Sequence, residues 1–202
     1  MIDSALLKGT NLYLIGMMGV GKTTISRILA EQLQYESFDT DEFIEQATGQ
    51  AISTIFAESG EAVFRQLETA TLAQICARKQ KVISTGGGIV LKPENWSYLK
   101  HGVIVWLDVP IDQLANRLRN DTSRPLLQNE DLTQKLSALF NDRRSLYAQA
   151  DIKITANPDE TPTQIADRVL DAISFECEKK RQEDLALQRL NAEMPFQIRP
   201  NS

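Results

Sequence analysis

A glycine-rich stretch near the start of the chain, GMMGVGKT at residues 16–23, has the spacing of a phosphate-binding loop. An apolar run precedes it and an amphipathic helical pattern follows it, as such a loop requires. Glycines let the backbone turn tightly and point successive N–H groups at phosphate oxygens, and the helix N-terminus adds partial positive charge. Lys22 would reach the β- and γ-phosphates, and the Thr23 hydroxyl would bind Mg²⁺. The stretch predicts a nucleoside triphosphate site with contacts from Gly19, Val20, Gly21, Lys22, Thr23 and Thr24.

The phosphate-binding loop alone is common to kinases, GTPases, motor ATPases and nucleotide-dependent switches. A GTPase would be expected to carry an N-K-x-D-like motif that reads guanine, and the sequence contains none. A chain of 202 residues has room for one full domain. Its size favours a kinase that acts on a small metabolite.

Two carboxylates, Asp39 and Asp41, follow a short predicted strand. Residues two apart in an extended segment point the same way, so both could face the sheet edge where open α/β proteins bind ligands. One would hold Mg²⁺ or its water, and the other would orient an acceptor hydroxyl and take its proton. We favour Asp39 as the proton acceptor. The alternative is a helix N-cap with a solvated neighbour, because a helical pattern begins at Asp41.

A second glycine-rich stretch, STGGG at residues 84–88, follows another apolar run. Three glycines could form only a mobile turn. At the carboxyl end of a parallel strand, however, they would let a compact ligand contact bare backbone N–H groups. We therefore expect this stretch, and Gly87 within it, to line the acceptor site.

Three arginines stand in distinct contexts: Arg65 early in a long helical pattern, Arg124 in a polar loop, and Arg143 within a later helix. Most surface arginines are simply solvated. Guanidinium groups are nevertheless the natural bidentate partners of carboxylate and phosphate. In an acidic protein that binds anions, positive charge must be concentrated locally, so these arginines are candidates for that role.

Short β-branched runs alternate with longer helical patterns along the chain. The strands are predicted at 12–15, 37–39, 82–85, 103–107 and 152–155. The helices are predicted after the first glycine-rich loop and at 61–78, 111–120, 132–150 and 163–174. Strands with little polar alternation are typical of a parallel sheet covered by helices. The pattern predicts an α/β fold with three layers.

The composition is ordinary for a globular protein, with 42% hydrophobic and 24% charged residues. A formal charge of −5 argues against a general nucleic-acid surface, and no apolar run approaches the roughly 20 residues of a membrane span. Cys76 and Cys177 are expected to be unpaired thiols in a reducing compartment. These features predict a cytoplasmic protein with no nucleic-acid or membrane partner, and we expect a monomer.

The composition changes after Ser174, where the sequence becomes charged and its apolar residues become sparse. We therefore expect a catalytic domain over 1–174 and a C-terminal tail over 175–202. A frayed or partly helical tail is the favoured interpretation. A segment that docks on a partner or a neighbouring subunit is the alternative.

Six motifs in order, GMMGVGKT, DTD, FRQLE, STGGG, RPLL and RRSLY, resemble those of the shikimate kinase family, over residues 12–172. The resemblance implies a P-loop fold like that of nucleoside monophosphate kinases, with a five-stranded parallel sheet and a mobile lid at about 117–132. It also implies transfer of the γ-phosphoryl group of ATP to the 3-hydroxyl of shikimate, a step of aromatic amino acid synthesis.

The resemblance also implies roles for individual residues. Shikimate contacts would come from Asp41, Arg65, Gly87 and Arg143. Asp39 would lie near Mg²⁺ with Thr23, Arg124 would reach the phosphates as the lid closes, and Arg117 would lie over the adenine. A second adenine contact would come from Asn157 and Pro158. Lys22, Asp39 and Arg124 would then be the catalytic residues.

Two other functions remain open on the sequence. A related kinase for a small metabolite such as gluconate would also bind a carboxylate and several hydroxyls. A non-catalytic relative could bind nucleotide as a regulatory module, although such a protein would be expected to have lost some of these lysine, aspartate and arginine residues.

Overall fold

The computed structural model describes residues 7–119 and 131–193. Five strands form one parallel sheet in the order β2-β3-β1-β4-β5. The strands are β1 (Leu12–Ile15), β2 (Glu36–Asp39), β3 (Lys81–Ser84), β4 (Val103–Asp108) and β5 (Ile152–Thr155). The helices are α1 (Lys22–Leu33), α2 (Thr40–Thr48), α3 (Ile52–Cys76), α4 (Pro93–Leu99), α5 (Ile111–Leu118), α6 (Leu132–Tyr147) and α7 (Pro162–Glu193).

The central strands are buried, as their apolar sequences predict. All four residues of β1 are buried between β3 and β4. Helix α1 packs on α7 and β3, α3 packs on α4, and α5 packs on α6. The predicted α/β fold, with a five-stranded parallel sheet flanked by helices, is therefore confirmed.

Strand register brings three of the sequence motifs to one edge of the sheet. Asp39 at the end of β2 is level with Ser84 at the end of β3, and Ser84 is level with Leu14 of β1. Because these strands are parallel, the segments that follow them leave the same edge. The first glycine-rich loop, the aspartate pair and the second glycine-rich stretch are thus neighbours.

Several elements differ from the sequence-based prediction. Helix α3 begins at Ile52 rather than at residue 61, and it is kinked at Gly60, whose φ of 80° is not helical. Helix α4 was not predicted, and α2 was noted only as a helical pattern that begins at Asp41, without an end. Helix α2 packs on α3 around a small apolar cluster of Ile44, Ile55 and Phe64.

Helix α7 extends well beyond the predicted end at residue 174. It continues without a break to Glu193, because Glu, Lys, Arg, Gln, Leu and Ala are good helix formers despite the loss of an apolar face. Phe175, Leu185 and Leu187 are exposed on this extension. No helix in the described ranges is both long and apolar enough to cross a membrane.

Candidate active site

The loop between β1 and α1 has the geometry expected for binding phosphate. Gly21 adopts a positive φ of 97°, which favours glycine, and α1 begins at the next residue. Lys22 is buried, and its Nζ donates hydrogen bonds to the carbonyls of Gly16 (3.0 Å) and Met17 (2.8 Å). Val20 is buried, whereas Thr24 is exposed in the first turn of α1.

Thr23 and Asp39 meet at the edge of the sheet. The Thr23 hydroxyl donates a 2.7 Å hydrogen bond to Oδ2 of Asp39, and Oδ1 of Asp39 accepts from the backbone N–H of Asp41 (3.0 Å). Asp39 is therefore the N-cap of α2 as well as the partner of Thr23.

The predicted geometry of the aspartate pair was wrong in one respect. Asp41 lies in the first turn of α2 rather than in an extended segment, because Asp39 ends the strand and caps the helix. Both carboxylates nevertheless line the same cavity. The capping and functional interpretations of this motif are compatible, since different oxygens of Asp39 make the two contacts.

The second glycine-rich stretch is approached closely by charged side chains. A Cβ atom on Gly86 would collide with Oε1 of Glu68 and come within 2.9 Å of Oδ1 of Asp41, and one on Gly88 would collide with the guanidinium of Arg65. The N–H of Gly86 is already bound to Oγ1 of Thr40 at 3.0 Å. Of the three glycines, Gly86 therefore does not offer the bare N–H that the sequence suggested.

Two buried arginines flank a cavity of about 360 Å³ at this edge. Arg65 and Arg143 are only 7% and 4% exposed. Arg65 forms ion pairs with Glu68 (2.5 Å) and Glu61 (2.8 Å). Nη1 of Arg143 donates to the carbonyl of Gly87 at 3.3 Å. The cavity is lined by both arginines together with Thr23, Asp39, Asp41, Glu68, Gly86, Gly87, Gly88 and the apolar residues Ile52, Phe56 and Phe64.

Glu68 is a site residue that the sequence analysis missed. Its side chain is fully buried, and no hydrogen bond reaches Oε1 from the described residues. Burial raises the pKa of this carboxyl to about 7, although the positive charge of Arg65 acts in the opposite direction. Burial also disfavours the charge of Arg65, but Glu68 and Glu61 outweigh it and the pKa of Arg65 is raised. The carboxyl rather than the guanidinium is therefore the group that titrates near neutral pH.

Three more of the predicted site residues, Arg117, Asn157 and Pro158, do not line this cavity. Nη1 of Arg117, in the last turn of α5, approaches the Gly19 carbonyl at 3.5 Å, which places this arginine beside the phosphate-binding loop. Asn157 contacts Glu160 and lines a separate surface pocket with Pro158. Arg124 and most of the predicted lid lie outside the described residues.

Comparison with known proteins identifies the family. The shikimate kinase family model matches residues 18–174. A shikimate kinase of Nostoc sp. is 57% identical over 170 residues, which cover 84% of this chain and 94% of that protein. The chain belongs to the shikimate kinase family. This confirms the resemblance drawn from the six motifs, and with it the expected activity: the enzyme is a kinase that phosphorylates shikimate with ATP in aromatic amino acid biosynthesis.

Solved structures agree with this assignment. Shikimate kinase from Acinetobacter baumannii, in complex with shikimate, superposes with a TM-score of 0.80 at 40% identity, covering 84% of this chain and 95% of that chain. A gluconokinase from Sinorhizobium meliloti reaches a TM-score of 0.54 at 14% identity. That second likeness shows the shared P-loop kinase fold alone and does not support gluconate as the acceptor.

Proposed function

We propose that the cavity beside the phosphate-binding loop holds shikimate, with its carboxylate between Arg65 and Arg143 and its 3-hydroxyl toward Lys22. One observation carries this proposal: two buried guanidinium groups line a cavity that also reaches Thr23 and Asp39. A carboxylate is the natural ligand of two such groups. The apolar wall that contains Phe56 and Phe64 would pack against the carbon ring.

The existing partners of the two arginines indicate how a carboxylate would be held. Arg65 already pairs with two glutamates, of which Glu68 is buried and titrates near neutral pH. Arg143 donates to the Gly87 carbonyl and hydrogen-bonds the Tyr147 hydroxyl, but among the described residues it forms no ion pair with a carboxylate. An anionic ligand would therefore be bound chiefly through Arg143. The ion pair with Glu68 would hold the guanidinium of Arg65 in place.

We propose that Mg²⁺ accompanies the nucleotide, as the sequence predicted. The Thr23 hydroxyl and Oδ2 of Asp39, 2.7 Å apart, are the hard oxygen ligands that this ion prefers. The described residues contain no group of three or more His, Cys, Asp or Glu side chains around one position. The protein would therefore supply one or two oxygens, and the phosphates and water would supply the others, which is usual for Mg²⁺. The bound ion would offset charge on the phosphate oxygens.

Asp39 and Asp41 would have different roles, one at the metal site and one at the acceptor hydroxyl. Oδ1 and Oδ2 of Asp39 are engaged by the α2 backbone and by Thr23, which suits a residue that organises the metal site. Oδ1 of Asp41 lies beside Gly86 within the cavity. We therefore assign the orientation of the acceptor hydroxyl, and receipt of its proton, to Asp41 in place of Asp39.

Transfer itself would depend mainly on positioning and electrostatics. Lys22 would follow the γ-phosphoryl group as it moves, exchanging its contacts with Gly16 and Met17 for phosphate oxygens. We propose that Arg124 adds positive charge from the lid and that Arg117 contacts the adenine. We also propose that the enzyme is a cytoplasmic monomer with no nucleic-acid partner, in line with its acidic charge.

Substitution of Arg143 tests the proposed placement of the acceptor. Arg143→Ala removes a charged hydrogen-bond donor and should raise the KM for shikimate about tenfold or more, with little change in the KM for ATP. Arg144→Ala is the matched control, because Arg144 is the exposed neighbour in the same helix. Equal loss of affinity for both substrates, or no loss with Arg143→Ala, would contradict the placement.

A further inference from the structure

The hydroxyl of Tyr147 holds one carbonyl of the second glycine-rich stretch. Tyr147 is fully buried at the end of α6, and its hydroxyl donates a 2.6 Å hydrogen bond to the carbonyl of Gly87, 60 residues earlier in the chain. Arg143 donates to the same carbonyl at 3.3 Å. Residues four apart share one helix face, so a single turn of α6 supplies both donors.

This contact matters because glycines are conformationally free. Three successive glycines can occupy many backbone conformations, and ordering them on binding would cost entropy. A peptide unit is planar, so fixing the carbonyl of Gly87 also fixes the plane that contains the N–H of Gly88. The hydrogen bonds from Tyr147 and Arg143 to the Gly87 carbonyl therefore order the part of the glycine-rich stretch that lines the cavity before a ligand binds.

The side chain of Tyr147 is itself held in place by packing against a buried residue. The ring of Tyr147 stacks on Trp106 with centroids 5.8 Å apart, and Trp106 is buried in β4. Burial also raises the pKa of the Tyr147 hydroxyl to about 12, so it keeps its proton and remains a donor throughout the working pH range. The same hydroxyl lies 3.8 Å from Sδ of Met17 in the phosphate-binding loop.

Gly87 is also packed directly against that loop. A Cβ atom at this position would come within 3.3 Å of the backbone N of Met18 and 3.5 Å of the Gly16 carbonyl. The peptide at Gly87 is thus held between the phosphate-binding loop on one side and α6 on the other. A fixed spacing between the donor and acceptor sites follows from this packing.

We propose that Tyr147 is a positioning residue for the acceptor: through its hydrogen bond to the Gly87 carbonyl it orders the glycine-rich stretch and aligns it with Arg143. The proposal rests on the placement of shikimate given above. Tyr147 touches neither substrate in this scheme and acts through Gly87 and through Arg143, which shares the Gly87 carbonyl and also hydrogen-bonds the Tyr147 hydroxyl.

Substitution by phenylalanine tests the proposal, because it removes only the hydroxyl and retains the ring stack on Trp106. Tyr147→Phe should raise the KM for shikimate about fivefold to tenfold, since a buried carbonyl loses a short hydrogen bond, and should leave the KM for ATP nearly unchanged. Tyr13→Phe is the matched control. Tyr13 is equally buried, and its hydroxyl contacts Cys76 (3.0 Å) and Asn11, neither of which lines the cavity.

Three outcomes distinguish the possibilities, once thermal unfolding has shown that each variant folds. A shikimate-specific rise in KM for Tyr147→Phe but not for Tyr13→Phe supports the proposal. If Arg143→Ala raises the shikimate KM and Tyr147→Phe does not, the positioning role is wrong and the placement stands. If neither variant changes the shikimate KM, both are wrong.

Discussion

Replacing Glu68 by glutamine should remove a pH dependence from the stability of this protein. Glu68 is fully buried beside Arg65, and burial raises its pKa to about 7. In the unfolded chain the same carboxyl is solvated and has its ordinary value of 4.5. Glutamine keeps the shape of the side chain, and its amide oxygen can still accept from Arg65, but it does not titrate.

The sign and size of the effect follow from linkage. Between about pH 4.5 and about pH 7, the folded state binds more protons at this position than the unfolded state does. The wild type therefore has the full stabilising contribution below about pH 4.5 and loses it as the pH rises to about 7. A rise in pKa from 4.5 to about 7, at about 1.4 kcal/mol for each tenfold change in the protonation equilibrium, gives about 3 kcal/mol.

Urea unfolding of the wild type and of Glu68→Gln, at intervals from about pH 5 to about pH 8, measures this directly. The difference in the free energy of unfolding should move in favour of the variant by about 2–3 kcal/mol over that range. Glu61→Gln is the control, because Glu61 pairs with the same guanidinium from a half-exposed position. A difference between Glu68→Gln and the wild type that stays constant with pH would refute the assignment of the raised pKa.

Two further predictions concern the nucleotide side. Lys22→Ala should lower kcat more than tenfold, because it removes a charge that acts on the transferred phosphoryl group, and a near-normal kcat in steady-state assays would rule out the loop as the transfer site. Asp39→Asn should raise the Mg²⁺ concentration needed for half-maximal activity, since it removes the charge of a proposed metal ligand. An unchanged Mg²⁺ titration would show that Asp39 does not hold the ion.

Much of the fold could be predicted because its signals are local. The apolar runs of β1, β4 and β5 predicted strands within a residue of the observed ones, and the glycine spacing predicted the phosphate-binding loop. Local patterns failed where a weak apolar face made a helix hard to recognise. Helix α4 is only seven residues long, and the sequence of α7 beyond residue 174 is rich in charged residues with few apolar ones.

The acceptor site was predictable only through its motifs. Arg65 and Arg143 were identified because they recur in the family pattern, and their burial was not visible in the sequence. Glu68 had a usable signal, since it lies three residues after Arg65 on one helix face within FRQLE. The only sequence signal for Tyr147 was its position at the end of the RRSLY motif. Its hydrogen bond to Gly87 joins residues that are 60 positions apart. Local sequence patterns do not predict a contact between residues so far apart in the chain.

The most direct test of the assigned activity is an ADP-release assay with ATP and Mg²⁺. Shikimate, quinate, gluconate and nucleoside monophosphates would be compared with a reaction that contains no acceptor. We expect rapid release with shikimate and a product phosphorylated at the 3-hydroxyl, with far slower release for the other compounds. Release with shikimate no faster than without an acceptor would contradict the account.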